Sequence, residues 1–328
     1  MDSSQHIVMY NGSCTLDISI FISLSKAPFA YHFLAIGNLV CSLTAITGNA
    51  IILLALRRCS SLHPSSKALF SSLAISDFGV GLVAQPLFAA YTLAIAWDNP
   101  GLFCIVGLPY SLFSSFLGLV SFCTISIVAL DRHLALMILR FRYRKIVTVK
   151  RITLILMVAW FLSAFFTVSG TFSKNLRRIS SNLMLVSCLL LALFFYLKTY
   201  INLRQHKLRM ESSFSVFYYR KSTNSMFIVF CLFLSTYLPF VFALVVATAF
   251  GFSSFPQLFA LDITSFLALL NSSLNPVVYC WRIKEIQREA KQLIRNSHSC
   301  YSIILGRFFQ SRVMPLNTSQ GVQPVYAT

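Results

Sequence analysis

Asp77 is the residue of sharpest chemistry, because it is an acid inside the apolar stretch Ala68–Ala94. A carboxylate kept from water needs a cation, a proton or a set of donors. Asn49, Ser121, Asn271, Ser272 and Asn275 lie in other apolar stretches at comparable depth. Together with Asp77 they offer enough oxygens for a small cation such as sodium. A protonated Asp77 in a structural hydrogen-bond network uses the same residues, and the sequence leaves both readings open. A second constellation is Asp131-Arg132-His133, an acid beside an arginine at the end of an apolar run, which reads as a local ion pair. Pro239 and Pro276 interrupt two further runs, each a bend that is either fixed shape or a hinge. The nine cysteines form no CxxC pair, and neither HExxH nor Gly-x-Ser-x-Gly occurs. Zinc, redox and hydrolytic chemistry are therefore disfavoured, and an enzyme with them.

The elements that must hold these residues are membrane helices. Of the 328 residues 57% are hydrophobic and 11% charged, and 31 are Phe, too few polar groups to cover a water-exposed globule. A helix needs about 20 apolar residues to cross the hydrocarbon. Seven stretches are long enough or nearly so: Pro28–Leu56, Ala68–Ala94, Leu102–Leu130, Ile152–Phe172, Leu183–Thr199, Ser222–Phe250 and Leu258–Trp281. The net charge of +18 does not mark a nucleic-acid binder, since the basic residues sit in short clusters between these runs. Twenty-three of the 27 basic residues fall on one side, which makes that side cytoplasmic and places the N-terminus outside and the C-terminus inside.

The expected organisation is an extracellular segment over residues 1–27, a seven-helix bundle over 28–281, an amphipathic surface helix over 282–295 and an unstructured cytoplasmic tail over 296–328. In the surface helix Ile283, Ile286, Ala290, Leu293 and Ile294 share one face while Lys284, Glu285, Arg288, Glu289, Lys291 and Arg295 fill the other, and the basic second and third cytoplasmic loops suit anionic lipid headgroups. Cys300 follows as an acylation candidate or an unmodified thiol. Asn11-Gly12-Ser13 is a glycosylation sequon on the outer side. The first 26 residues have no basic n-region and only a short apolar stretch, Ile18–Leu24, so no cleaved leader is expected. On chemistry alone an ion-coupled transporter or channel using Asp77 competes with a receptor. It would want duplicated halves, and no internal repeat is visible.

In order along the chain, the landmarks resemble those of the rhodopsin-like G protein-coupled receptors. Gly48-Asn49, Leu73-Ala74-Ile75-Ser76-Asp77, Asp131-Arg132-His133, Trp160, Tyr237-Leu238-Pro239 and Asn271-Ser272-Ser273-Leu274-Asn275-Pro276-Val277-Val278-Tyr279 each look like a family motif in its proper helix. The resemblance covers roughly Phe29 to Arg295. It implies an all-α seven-helix membrane bundle, an extracellular ligand and a heterotrimeric G protein as partners, and a plasma-membrane location. It further implies that the sixth helix swings outward at Pro239, that Arg132 leaves Asp131 to meet Tyr196 and Tyr279, and that sodium at Asp77 and Ser121 stabilises the resting state.

Several departures qualify that resemblance. Tyr237 replaces the toggle tryptophan, Tyr219 beside Arg220 replaces an acid that would hold the arginine, and Cys188 stands near the missing fifth-helix proline, altering the packing with Phe122 and Phe233. A weaker resting lock and raised basal signalling follow. The second outer loop, near Ser173–Asn182, has no cysteine for the family's outer disulfide, leaving Cys14 and Cys104 either bridged to each other or as free thiols. These features look most like the melanocortin, lipid and adenosine receptor branch, with a peptide, lipid or nucleoside-like ligand. Ser114 stands where amine receptors carry an aspartate, so a monoamine ligand is disfavoured, and the seventh helix has no lysine for a retinal Schiff base, so a photopigment is disfavoured too. Pocket candidates are Ser114, Leu117, Tyr237, Phe240, Leu261 and Phe266. Asp17, Asp98 and Asp262 read as exposed acids at the mouth.

Overall fold

The computed structural model describes residues 7–10, 14–17, 21, 24–60, 62–137, 143, 145–172, 174–209, 230–247 and 255–295. Asn11, Tyr219, Arg220 and Cys300 lie outside them. Among the described residues seven helices are long and apolar enough to cross a membrane. In chain order they are α1 (Pro28–Arg58), α2 (Pro64–Ala96), α3 (Pro100–Met137), α4 (Val149–Phe172), α5 (Lys174–Arg209), α6 (Phe230–Ala247) and α7 (Phe255–Arg282). A further helix, α8, spans 284–295.

Local chemistry sets several of these ends. Pro28, Pro64 and Pro100 each occupy a first turn, where a missing N–H costs nothing. The Leu102 amide donates to Asn99 Oδ1 at 3.0 Å, capping α3. A tight turn at Trp97–Asn99 joins α2 to α3, with Asp98 at a φ of 51°.

Large apolar side chains cover the outside of the bundle, among them Phe29 and Phe33 of α1 and Met157, Phe161 and Phe165 of α4. Asn38, Asn49, Asp77, Gln85 and Thr92 are fully buried inside it. This inverted distribution suits hydrocarbon as the solvent. The helices approach closely where glycine allows. A Cβ on Gly48 would lie 2.8 Å from Pro276 Cγ, and one on Gly81 would lie 2.8 Å from Ala45 Cβ. The main core joins α2, α3, α5, α6 and α7 through Leu73, Phe122, Tyr196, Phe230, Phe233 and Tyr279.

Three features depart from the sequence expectation. Residues Val80–Ala84 of α2 form a π-helical turn just before Pro86, and Ser42 Oγ donates to the Gly81 carbonyl at 2.7 Å. The Gly81 carbonyl, in the wide turn before the proline, is thereby satisfied. The expected second outer loop is helical, because α5 starts at Lys174, after α4 has ended at Phe172. Residues 174–182 contain no Gly or Pro to break a helix, and the basic residues that suggested a loop are good helix formers. An antiparallel hairpin, β1 (Ile7–Tyr10) with β2 (Cys14–Asp17), precedes the bundle and packs on α3.

A further helix follows the seventh as expected, but over 284–295 and not from 282, because Arg282 still belongs to α7 and Ile283 lies in the break between them. Ile283, Ile286 and Ala290 are buried against the bundle while Lys284, Glu285 and Arg288 are exposed. Ile294 is 45% exposed and leaves the predicted face at the helix end.

Candidate functional site

At the α3 terminus Arg132 is held by two side chains. Its Nη2 lies 2.7 Å from Asp131 Oδ2 and donates to Ser66 Oγ of α2 at 2.6 Å. Tyr143, in the connection between α3 and α4, donates its hydroxyl to Asp131 Oδ1 at 2.7 Å. Each oxygen of the buried carboxylate therefore faces one partner, and the arginine is drawn towards α2 rather than α7. His133 Nδ1 is 3.1 Å from Thr199 Oγ1, which ties α3 to α5. The Tyr279 hydroxyl is buried and has no hydrogen-bond partner, and Tyr196 stacks on Phe230 at 4.3 Å.

Midway along the bundle Asp77 accepts two hydrogen bonds from α7. Ser272 Oγ donates to its Oδ1 at 2.8 Å and Asn275 Nδ2 to its Oδ2 at 2.7 Å. Asn49 donates to the Ala45 and Ser272 carbonyls, and its Oδ1 is buried without a partner. Ser121 lies 3.1 Å from Ser76 Oγ and donates to the Leu117 carbonyl. Asn271 Nδ2 is a buried donor without a partner. The structure thus joins Asp77 to Ser272 and Asn275 by side-chain hydrogen bonds and Asn49 to the Ser272 carbonyl, while Ser121 pairs with Ser76.

Above this layer Tyr237 packs edge-on to Phe122 at 4.6 Å and lies 4.4 Å from Phe233, which itself meets Phe122 at 4.6 Å. Three rings therefore fill the volume where the sequence anticipated altered packing. Near the absent proline, Ser126 Oγ donates to the Cys188 carbonyl at 2.8 Å, and the Cys123 and Cys188 sulfurs are 3.6 Å apart. Pro239 lies inside α6, three residues beyond Thr236 and six beyond Phe233. Over the rings sits a cavity of about 110 Å³, lined by Tyr110, Ser114, Phe122, Tyr237, Phe240 and Ser265 among others.

A sequence profile described as "7 transmembrane receptor (rhodopsin family)" matches residues 48–189 and 173–279. The chain belongs to this family. The receptor is 25% identical over 301 residues to the dog (Canis lupus familiaris) adenosine receptor A3, covering 81% of this chain and 91% of that one. It is 24% identical over 269 residues to the zebrafish (Danio rerio) trace amine-associated receptor 13c, covering 71% and 77%. With the human (Homo sapiens) histamine H2 receptor it shares 30% identity over 121 residues, 37% and 33% of the two chains. These relatives are receptors and not enzymes. The receptor is a multi-pass plasma-membrane protein, and the family provides it with a G protein and an extracellular ligand as partners.

Within the receptor, Ser114, Tyr237 and Phe240 line the cavity, and three other pocket candidates do not. Leu117 faces α2, where its Cδ2 would be 3.2 Å from a Cβ on Gly79. Phe266 faces α1 at Gly37. Leu261 is outside the lining, where its carbonyl accepts the Ser265 hydroxyl at 2.7 Å. Asp262 is not an exposed acid: it is buried and accepts the Tyr31 hydroxyl at 3.0 Å. Asp98 is exposed as expected.

Sequence reading missed Ser66 and Tyr143, since a tyrosine in the short connection between two spans carries no periodic signal. It also missed Gln85, which bridges α2 to the Leu269 carbonyl at 3.1 Å, and Ser72, the acceptor of the Trp160 indole N–H at 3.0 Å. Cys104 is disulfide-bonded.

Proposed function

We propose that this receptor passes an extracellular ligand signal to a heterotrimeric G protein through release of Arg132. The observation that carries the reading is the holding of Arg132 by Asp131 and Ser66 while the Tyr279 hydroxyl stands without a partner. A charged group with one set of contacts here and an unused set across the bundle has two arrangements, and a ligand that favours one shifts the population. In the alternative arrangement α6 swings outward about Pro239, Arg132 leaves Asp131 for Tyr196 and Tyr279, and the G protein enters at the Arg132 end. The charge bias makes that end cytoplasmic and the Tyr31 end extracellular.

Asp77 belongs to the same switch. Both its oxygens accept hydrogen bonds, the pattern of an ionised carboxylate. The Asn49 Oδ1 lone pairs and the Ser272 and Ser121 hydroxyls supply oxygens suited to a hard cation. Asp77, Ser272 and Ser121 would hold sodium, which supplies the compensating positive charge of the resting state. Cys14, at the start of β2, is the partner we assign to Cys104, since that strand packs on α3.

Nucleotide exchange tests the reading. Membranes containing the receptor, challenged with a ligand library and a promiscuous G protein, should stimulate GDP release, and replacing Arg132 by Ala should abolish it. Ion flux without exchange would instead support the transporter reading.

A further inference from the structure

Two thiols face each other where α3 meets α5, and the Arg132 switch uses neither. Cys123 Sγ of α3 lies 3.6 Å from Cys188 Sγ of α5, a van der Waals contact between two reduced cysteines. The backbones are held together at the same level. Ser126, one turn along α3 from Cys123, donates its hydroxyl to the Cys188 carbonyl at 2.8 Å. A disulfide sets its sulfurs about 2.05 Å apart, so closure needs an approach of about 1.6 Å from the present 3.6 Å. Side-chain rotation with a small shift of either helix covers that distance.

The two cysteines are not equivalent. Cys188 is half-buried within the span Leu183–Asn202, whereas Cys123 is 8% exposed and enclosed by the bundle. The accessible sulfur of such a pair reacts first and the enclosed one resolves it. Because Cys188 lies in a membrane span, the oxidant that meets it is an organic hydroperoxide of the kind formed in oxidised lipid. The Cys188 sulfur attacks the terminal peroxide oxygen, the O–O bond breaks, and the departing alkoxide takes the Cys188 thiol proton to leave as an alcohol. Cys188 is then a sulfenic acid. The Cys123 sulfur attacks it, the S–O bond breaks, and the hydroxide takes the Cys123 proton to leave as water. Two thiols and one hydroperoxide thus give one disulfide, one alcohol and one water.

We propose that Cys123 and Cys188 are a redox pair, which an organic hydroperoxide closes into a disulfide that fastens α3 to α5 in the arrangement holding Arg132. The fastening lies beside the ring triad, since Cys123 follows Phe122 directly. It adds a covalent link to the two ties already present between these helices, Ser126 to the Cys188 carbonyl and His133 to Thr199. In the alternative arrangement Arg132 turns to Tyr196, eight residues or about two turns beyond Cys188 on α5, so α3 and α5 must re-seat against each other. Oxidation therefore opposes signalling. That consequence rests on the receptor reading, whereas the bridge itself does not.

The test uses the full-length receptor in lipid nanodiscs, treated with cumene hydroperoxide or, as control, with its reduction product cumyl alcohol. Peptide mapping without reduction should recover Cys123 linked to Cys188 after the hydroperoxide and not after the alcohol. The melting temperature should rise by about 5 °C, since a cross-link constrains the unfolded chain. Cys123→Ser and Cys188→Ser should each lose that rise. Ligand-independent nucleotide exchange should be mostly lost from the oxidised native receptor and kept by both treated variants. No link between Cys123 and Cys188, or linkage of Cys188 to the exposed Cys231 of α6 in equal yield, would overturn the pair. A link that leaves exchange unchanged would overturn its hold on the switch. Should either variant fail to fold, mapping of the native chain still decides. A link and a melting shift in a receptor that shows no exchange even when reduced would overturn the signalling reading and leave the redox pair standing. Exchange by the native receptor with no link after treatment would do the reverse.

Discussion

Tyr143→Phe removes the hydroxyl that donates to Asp131 Oδ1 and keeps the ring. The bond it breaks is 2.7 Å long and ends on a carboxylate that is 2% exposed, so water cannot readily replace it. A hydrogen bond to a charged group contributes about 1.5–3 kcal/mol. Asp131 Oδ2 keeps Arg132, but Oδ1 is left without its donor. The loss falls on the arrangement in which Asp131 is enclosed, and it should raise the resting state by about 1.5 kcal/mol at the low end of that range. That shift multiplies a small active fraction by about ten. Ligand-independent nucleotide exchange, measured at matched surface expression, should rise accordingly. Asp131→Asn should also raise it, and the double variant should add little because both changes delete the same contact. Basal exchange indistinguishable from that of the native receptor, or full additivity of the two changes, would refute the argument.

Other regions give their own expected outcomes. Asp77→Asn removes the charge while keeping one acceptor, so agonist affinity should lose its dependence on sodium, as read by binding with sodium or a bulky organic cation in the buffer. Gly48→Ala puts a methyl 2.8 Å from the Pro276 ring and should cost about 1–3 kcal/mol, read as a lower melting temperature in detergent. Gly107→Ala meets nothing within 4 Å and should instead stabilise α3 by about 0.5–1 kcal/mol. Trp160→Phe gives up the 3.0 Å bond to Ser72 and should lower stability by about 1 kcal/mol with exchange activity retained. Peptide mapping without reduction should recover Cys14 linked to Cys104, and finding both alkylated would remove that pairing.

The sequence exposed the parts of this receptor that the bilayer dictates. Seven apolar runs are visible because each must span a fixed thickness, and Asp77 is visible because an acid in such a run is costly. What escaped depends on how helices face one another. Leu117 and Phe266 were placed in the pocket by depth alone, whereas close contacts at Gly79 and Gly37 turn them towards α2 and α1. Asp262 looked exposed because it lies near a helix end. Phe21 and Leu24 belong to the apolar cluster that packs around Tyr31, and this covering from the N-terminal segment has no periodic signature. The helical start of α5 was hidden by its arginines, which mark loops by composition yet tolerate helix.

The wide turn at Val80–Ala84 has a practical consequence for mutagenesis. One additional residue in a turn rotates everything beyond it by about 100° relative to a regular helix. Roles copied onto α2 from a relative by counting outward from Asp77 will therefore land on a neighbouring face unless that relative has the same insertion. For Phe88, Tyr91 and Thr92, scanning designs should be aligned on Pro86, past the irregularity, so that side chains destined for the interior are not mistaken for ones bathed in lipid.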